Sequence, residues 1–379
     1  MRRALLAIAL FATTTTAQEL LDYSLGGYAQ FMHSTWAPER QEEWTTWSEL
    51  KNRLDFAWYP TDALALRVGS RNRFEWGGLI QATPNYVALA TRDDGYVDLD
   101  YEFSSDRNHA FYGNVDRFHV EYWTGDLVAT LGRQRVNWSF NLTWTPNDIF
   151  NSYSIFDFDY VERPGCDAAS VVYYTGVASS FHAAAKIDGD EKTTVAAMYR
   201  WNAFEYDFQV LGGTMRDDYV AGGAWSGVIG EAGFNGEATY FGPKDDFLEG
   251  AVVFSAGANY AFENALSIRG AYLFNSGGST RNASHGSFME MGNVSAKTPT
   301  LARHSVYAEA ALRPHPLVRV VASGVFNPND GSRYFSPTVE YLPTEDLDVA
   351  LLAQIFHGDA RTEFGDYGTL AFARFRYHF

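Results

Sequence analysis

Cysteine is nearly absent: Cys166 alone in 379 residues leaves no pair for an internal disulfide. Long hydrophobic runs are absent as well, and without a stretch of 18 or more apolar residues a helical membrane span is excluded. Prolines number 12 against 33 glycines, so long segments are free of the residue that interrupts strand pairing. Positive charge is in deficit, 29 Lys and Arg against 46 Asp and Glu, for a formal net charge of -17. No basic run stands out from that balance, which argues against a nucleic-acid partner. A phosphate-cradling glycine loop and a Cys/His cluster are also missing, so no cofactor and no metal are expected.

Aromatic residues are what the chain has in excess, 23 Tyr, 28 Phe and 10 Trp. The N-terminus reads Met1-Arg2-Arg3, an apolar run from Ala4 to Ala12, then small residues to Ala17. That is the pattern of a secretory signal over residues 1–17, leaving one exported domain over 18–379. A soluble periplasmic protein would suit the mildly hydrophilic average. The aromatic excess suits better a barrel whose strands alternate lipid-facing and water-facing side chains between two aromatic girdles.

Period-two alternation recurs along the whole chain. In the last ten residues Ala371, Ala373, Phe375, Tyr377 and Phe379 share one face and Arg374, Arg376 and His378 the other. Ending on such a strand with a terminal Phe resembles the signal by which outer-membrane barrels are recognised for assembly, which implies the barrel-assembly machinery as a partner through Phe379. Similar lines run through Leu25 to Phe31, Leu50 to Trp58, Leu64 to Val68, Phe118 to Tyr122, Val252 to Phe262 and Val318 to Phe326. Tight turns such as Tyr59-Pro60-Thr61-Asp62 and Thr124-Gly125-Asp126 alternate with long connections at 34–44, 75–113, 137–166, 275–302 and 358–367. Bacterial barrels keep short turns on the periplasmic side and long loops outside. The pattern therefore predicts an all-β, transmembrane antiparallel β-barrel of about 18 strands, with 16 as the alternative, in contact with outer-membrane lipid and lipopolysaccharide. Counting 18 requires residues 75–113 to form one external excursion, with Val97, Leu99, Tyr101 and Phe103 on a hairpin arm or a lumen-facing segment.

Such a barrel is too wide for side chains to fill, so it conducts or it is plugged. Four strands, 45–59, 62–74, 114–124 and 126–136, should stand side by side and line the lumen with Lys51, Arg53, Arg67, Arg71, Arg73, Arg117, Arg133 and Arg135. The alternation stops after Trp138, and the segment that follows is rich in acids and aromatics. Folded inward, it would set Asp148, Asp157, Asp159 and Glu162 against the basic wall, a field that selects and orients small polar solutes. Trp138, Trp144, Phe150, Tyr153, Phe156 and Tyr160 offer stacking faces or anchors to the wall. Asp157-x-Asp159 with Glu162 supplies oxygen ligands but matches no complete calcium loop. The His-Ser neighbours His33-Ser34 and His304-Ser305 point to opposite faces of a strand; with His285-Gly286-Ser287 in a loop, they give no catalytic set, and no enzyme is expected.

Gly132-Arg-Gln-Arg-Val-Asn-Trp138, followed by Trp144-Thr-Pro-Asn-Asp-Ile-Phe-Asn151, resembles a segment of large porin-like barrels of Gram-negative bacteria; Ser139 stands where Gly is expected after the Trp. The resemblance implies an outer-membrane location and passive passage of solutes, narrowed by the loop 139–162. The alternative is a closed or plugged barrel serving adhesion, assembly or surface enzymology.

Overall fold

On β19 (Thr369–His378), Phe375 and Tyr377 are about half exposed, while Arg374 and Arg376 beside them are buried. A strand has a period of two, so this alternation puts the rings on the outside of the sheet and the guanidinium groups inside it. The computed structural model describes residues 22–39, 43–91, 93–159, 162–284 and 294–379. The expected signal peptide, Tyr160 and His285 to Ser287 lie outside the described residues.

The first half of the sheet comprises β1 (Asp22–Ala37), β2 (Thr45–Thr61), β3 (Leu64–Gly77), β4 (Asp100–Ser105), β5 (His109–Thr124), β6 (Leu127–Gln134), β7 (Cys166–Gly176), β8 (Ser179–Ile187) and β9 (Thr193–Ala203). The second half comprises β10 (Tyr206–Met215), β11 (Asp218–Ile229), β12 (Ala232–Pro243), β13 (Ala251–Ala261), β14 (Leu266–Asn275), β15 (His304–His315), β16 (Val318–Phe326), β17 (Arg333–Tyr341), β18 (Leu347–His357) and β19. All but β4 pair antiparallel with their neighbours in the chain, β3 pairing with β5, and β19 closes on β1 with Phe31 opposite Phe375. The barrel therefore has 18 strands and closes on itself, so that each wall strand pairs with a strand on either side. Sixteen strands is excluded. Tyr122, Tyr173, Tyr199, Tyr341 and Tyr377 are exposed at the rim of the tight turns, where amphipathic rings settle.

β4 is the expected hairpin arm, and it repairs the wall. β6 pairs with β5 over Phe118 to Thr124, and β4 takes the same edge of β5 over Ala110 to Asn114. On the outer face the Tyr101 hydroxyl donates to Asn72 Oδ1 at 2.8 Å, and Phe103 stacks on Phe111 with centroids 4.4 Å apart. Two short helices, α1 (Gly78–Ala82) and α2 (Tyr86–Ala90), occupy the rest of this connection.

Connection lengths differ from expectation at the outer rim. β1 runs on to Ala37, so the loop expected at 34–44 is much shorter, and β10 joins β11 through residues 216 and 217 alone. Ladder pairing extends strands beyond the stretch where sequence alternation is clean, because backbone bonds do not require an apolar face.

Gly132 lies two residues before the end of β6. It sits at φ +118, and a Cβ there would lie 2.3 Å from the Phe118 carbonyl oxygen. Gly132→Ala should cost about 1–3 kcal/mol, from strain and close approach together. A lowered urea midpoint of the refolded barrel, followed by gel mobility of unheated samples, checks this.

Candidate functional site

After Gln134 the chain leaves the wall, and residues 135–159 and 162–165 run inside the barrel between β6 and β7. An irregular segment in a lumen carries unpaired amides and carbonyls that must find partners. One carboxylate does much of this. Glu237 on β12 is fully buried; its Oε1 accepts the Ser139 hydroxyl and the Asn141 N–H, both at 2.6 Å, and the Phe140 N–H, while its Oε2 accepts the Asn147 N–H at 3.1 Å. Other walls complete the set. Gln209 donates to the Trp138 carbonyl, Thr239 to the Pro146 carbonyl at 3.0 Å, Lys186 to Phe150 O at 2.8 Å and Gln354 to Phe156 O at 2.8 Å. The segment is thereby tied to strands on both sides of the lumen.

The loop aromatics pack on the wall. Trp138, Trp144 and Phe150 are each 2% exposed, in one cluster with Leu211, Phe241, Val253 and Leu273. Burial of each such ring contributes about 1.5–3 kcal/mol. Phe156 meets Tyr334 edge-on with centroids at 4.9 Å, and Tyr153 lies under the Arg163 guanidinium at 3.7 Å. These contacts account for the rings as anchors.

The four predicted acids separate into different environments. Asp148 is fully buried within the loop, and burial pushes its carboxyl up to about 8, against the pull of Arg135. At neutral pH it brings little charge to the lumen. Asp159 crosses to the far wall, where it pairs with Lys51 and with Arg376 at 2.9 Å and accepts from Gln30 at 3.0 Å. Burial would raise its carboxyl, but the Lys51 and Arg376 charges hold it below the usual range. That pairing uses the oxygens a calcium ion would need from Asp157-x-Asp159. Asp157 is exposed, and Glu162 Oε1 stands 3.8 Å from Arg53 Nε.

The predicted cations are gathered as expected on the adjoining strands β2, β3, β5 and β6, with Arg53 opposite Arg71 and Lys51 opposite Arg73. Most have carboxylate partners. Arg53 forks onto Asp55 at 2.7 and 2.8 Å and reaches Asp116 at 2.8 Å; Arg71 lies 3.6 Å from Asp116, and Arg73 3.8 Å from Glu49. Arg67 pairs with Glu121 at 3.0 Å. Gly69 makes room for this group, since a Cβ there would lie 2.7 Å from Arg53 Nη2. Arg117 donates to the Glu162 and Arg163 carbonyls at 2.6 and 2.9 Å, fastening the end of the loop. Arg133 clamps an external connection, pairing with Asp93 and with Asp167 at 2.7 Å and donating to Val97 O at 2.6 Å. Arg135 has no carboxylate partner among the described residues; its guanidinium lies 6.0 Å from the Tyr153 ring.

Sequence reasoning passed over Asp116, Glu237, Gln30, Arg374 and Arg376 as site residues. Asp116 had a signal: two adjacent charges, Asp116-Arg117, break the alternation. Opposite them the register shifts between Gly69 and Ser70, leaving Asp116 as the extra residue of a bulge.

Two cavities of about 630 Å³ each border this wall. The outer one is lined by Arg71, Arg73, Asp116 and Asp157, the inner one by Arg53, Arg67, Arg117, Arg135 and Glu162. The Arg53–Asp116–Arg71 cluster and the end of the loop lie between them.

Glu237→Ala leaves four loop donors without their acceptor, a loss of about 1.5–3 kcal/mol for each bond to the charged group before relaxation. The expected outcome is a barrel that still closes but in which trypsin or chymotrypsin cuts the loop faster than in the unaltered protein.

No protein-family model matches the sequence, and no curated protein matches it either. Among solved structures, the Occ outer-membrane channel OccAB1 of Acinetobacter baumannii aligns over 94% of this chain and 96% of its own, with a TM-score of 0.56 at 10% identity. OccK11 (OpdR) of Pseudomonas aeruginosa aligns over 94% and 95%, with a TM-score of 0.56 at 8% identity. At such identities the likeness is one of fold, and together with the closed 18-stranded sheet it shows a β-barrel of porin-like architecture.

Proposed function

We propose that the protein is a porin-like channel for passive diffusion of small hydrophilic solutes, narrowed where the loop 139–162 faces the basic wall. The observation that carries this reading is the pair of cavities, one on each side of the loop, bordered by the same strands β3, β5 and β6. A solute passing between them meets Arg53, Arg71, Asp116 and Glu162, opposite signs across a short gap, in surroundings where a low dielectric lengthens the reach of charge. The cations there are largely matched by carboxylates, so the constriction orients dipolar solutes more than it attracts anions. Arg135 is the exception and gives the inner cavity a modest preference for negative solutes. Barrel-assembly machinery reading Phe379, and a setting in lipid and lipopolysaccharide, belong to the same reading.

The complete burial of Asn147 and Asp148 favours a second reading, a barrel plugged by its own loop. Single-channel recording of the refolded mature protein in a planar bilayer separates the two. A channel gives steady openings that enlarge on deletion of residues 139–162; a plugged barrel conducts only after the deletion.

Selectivity has its own test. Arg135→Ala should move the reversal potential in a salt gradient toward cation preference by several millivolts and leave folding intact, because the charge removed has no carboxylate partner among the described residues. Arg133→Ala removes a clamp and should lower stability, by less than the roughly 3–5 kcal/mol of a fully buried pair because Asp93 and Asp167 are half-buried. Unchanged reversal potentials in Arg135→Ala would remove Arg135 from the selectivity account.

A further inference from the structure

At the ends of β17 and β18 away from the tight turns, the outward face of the sheet carries a pair of basic side chains. Tyr334 and Phe356 point inward, where both rings face Phe156 of the lumen loop, with centroids at 4.9 and 6.4 Å. A strand alternates, so their neighbours Arg333 and His357 point outward, and both are exposed. They stand opposite each other in the ladder, and Arg333 has Phe326 opposite it on its other side. Neither is held by a carboxylate among the described residues. Two residues nearer the tight turns, Phe335 stands opposite Ile355, both exposed, and Gly324 opposite Phe335 leaves the face low beside that ring.

An arginine on a lipid-facing wall is tolerated near an interface and is costly deeper. Arg333 opens a nine-residue strand that ends at Tyr341 beside a tight turn. That length is about 26 Å at roughly 3.3 Å per residue, and about 20 Å along the membrane normal after the usual tilt. The apolar band of such barrels is about 25 Å tall, so the pair stands where acyl chains give way to headgroups. The other arginines of β16 to β19 are turned to the lumen and matched there, Arg319 with Glu340, Arg374 with Asp348 and Arg376 with Asp159. The unmatched guanidinium offers a planar fork of donors that suits a phosphate, and the imidazole adds another N–H. We propose that Arg333 and His357 hold the anionic phosphate headgroup of an acyl lipid in the adjoining leaflet, with its chains lying along Phe326, Phe335 and Ile355. The rings below the pair set it at the edge of the hydrocarbon, where lipid phosphates are concentrated. A chain with a net charge of -17 offers a free anion in water no general attraction, which favours the lipid as the source of the phosphate.

The site rests on the membrane setting proposed above and not on whether the barrel conducts. The refolded mature protein is inserted into phosphatidylcholine vesicles that carry a trace of phosphatidic acid with a photoactivatable acyl chain, and the cross-linked peptides are mapped by mass spectrometry. In wild type, phosphatidic acid should label β16 to β18 severalfold more than phosphatidylcholine bearing the same photoactivatable chain. Arg333→Gln should abolish that preference. Lys192→Gln, which removes a rim cation paired with Asp217 elsewhere on the barrel, should leave it intact. Equal labelling by the two lipids in wild type overturns the proposal whether or not the variants fold. So does a preference that survives Arg333→Gln, or one that falls as far in Lys192→Gln. Displacement of phosphatidic acid by millimolar inorganic phosphate would mark a site for an anion from water and overturn the lipid assignment. A wild type that fails to insert removes the membrane setting and the site with it, whereas selective labelling of a barrel that does not conduct keeps the site and removes the channel.

Discussion

The fold depends on one constraint: a segment that leaves a barrel wall takes its backbone with it. The amides and carbonyls of the described residues 135–159 and 162–165 lie outside any ladder, and the lumen must supply their partners. Glu237 answers for four donors with two oxygens, and Gln209, Thr239, Lys186 and Gln354 answer for carbonyls. These partners come from strands far apart in the sheet, so the loop is seated only when the barrel is closed. Closure and loop placement are one event in energetic terms, and the apolar seat of Trp138, Trp144 and Phe150 adds weight to it.

That arrangement divides the lumen into two unlike halves. Strands β8 to β18 meet the loop through an apolar seat, Leu211, Val253 and Leu273 among its members, and through the few polar anchors such as Glu237 and Lys186 that hold its backbone. Strands β2 to β6 keep their charges, paired across the sheet as Arg53 with Asp116 and Arg67 with Glu121. The two cavities border this second side, where ion pairs tolerate open space that a packed ring does not. The same logic explains why Asp159 crosses to Lys51 and Arg376: buried beside the wall, it needs cations within reach.

Much of this was legible in the residues. The strand lines, the aromatic ends, the adjacency of β2, β3, β5 and β6, and the inward course of the segment after Trp138 all follow from period-two alternation and its interruption. Individual roles were not legible. Arg133 and Arg135 look alike in the sequence, two residues apart on one face, yet Arg133 is held by Asp93 and Asp167 and Arg135 by no carboxylate among the described residues. Asp148 and Glu162 look alike as loop acids, yet one is sealed in the loop and the other borders a cavity.

The sequence by itself determined the architecture, because alternation is a local property: each side chain is sent to lipid or to lumen by its own position on its own strand. Tertiary structure alone decided which charges are spent on holding the molecule together and which border the open space. Those partners lie roughly 30 to 350 residues away along the chain, from Arg133 with Asp167 to Gln30 with Arg376, and only closure of the sheet brings them within a hydrogen bond of one another.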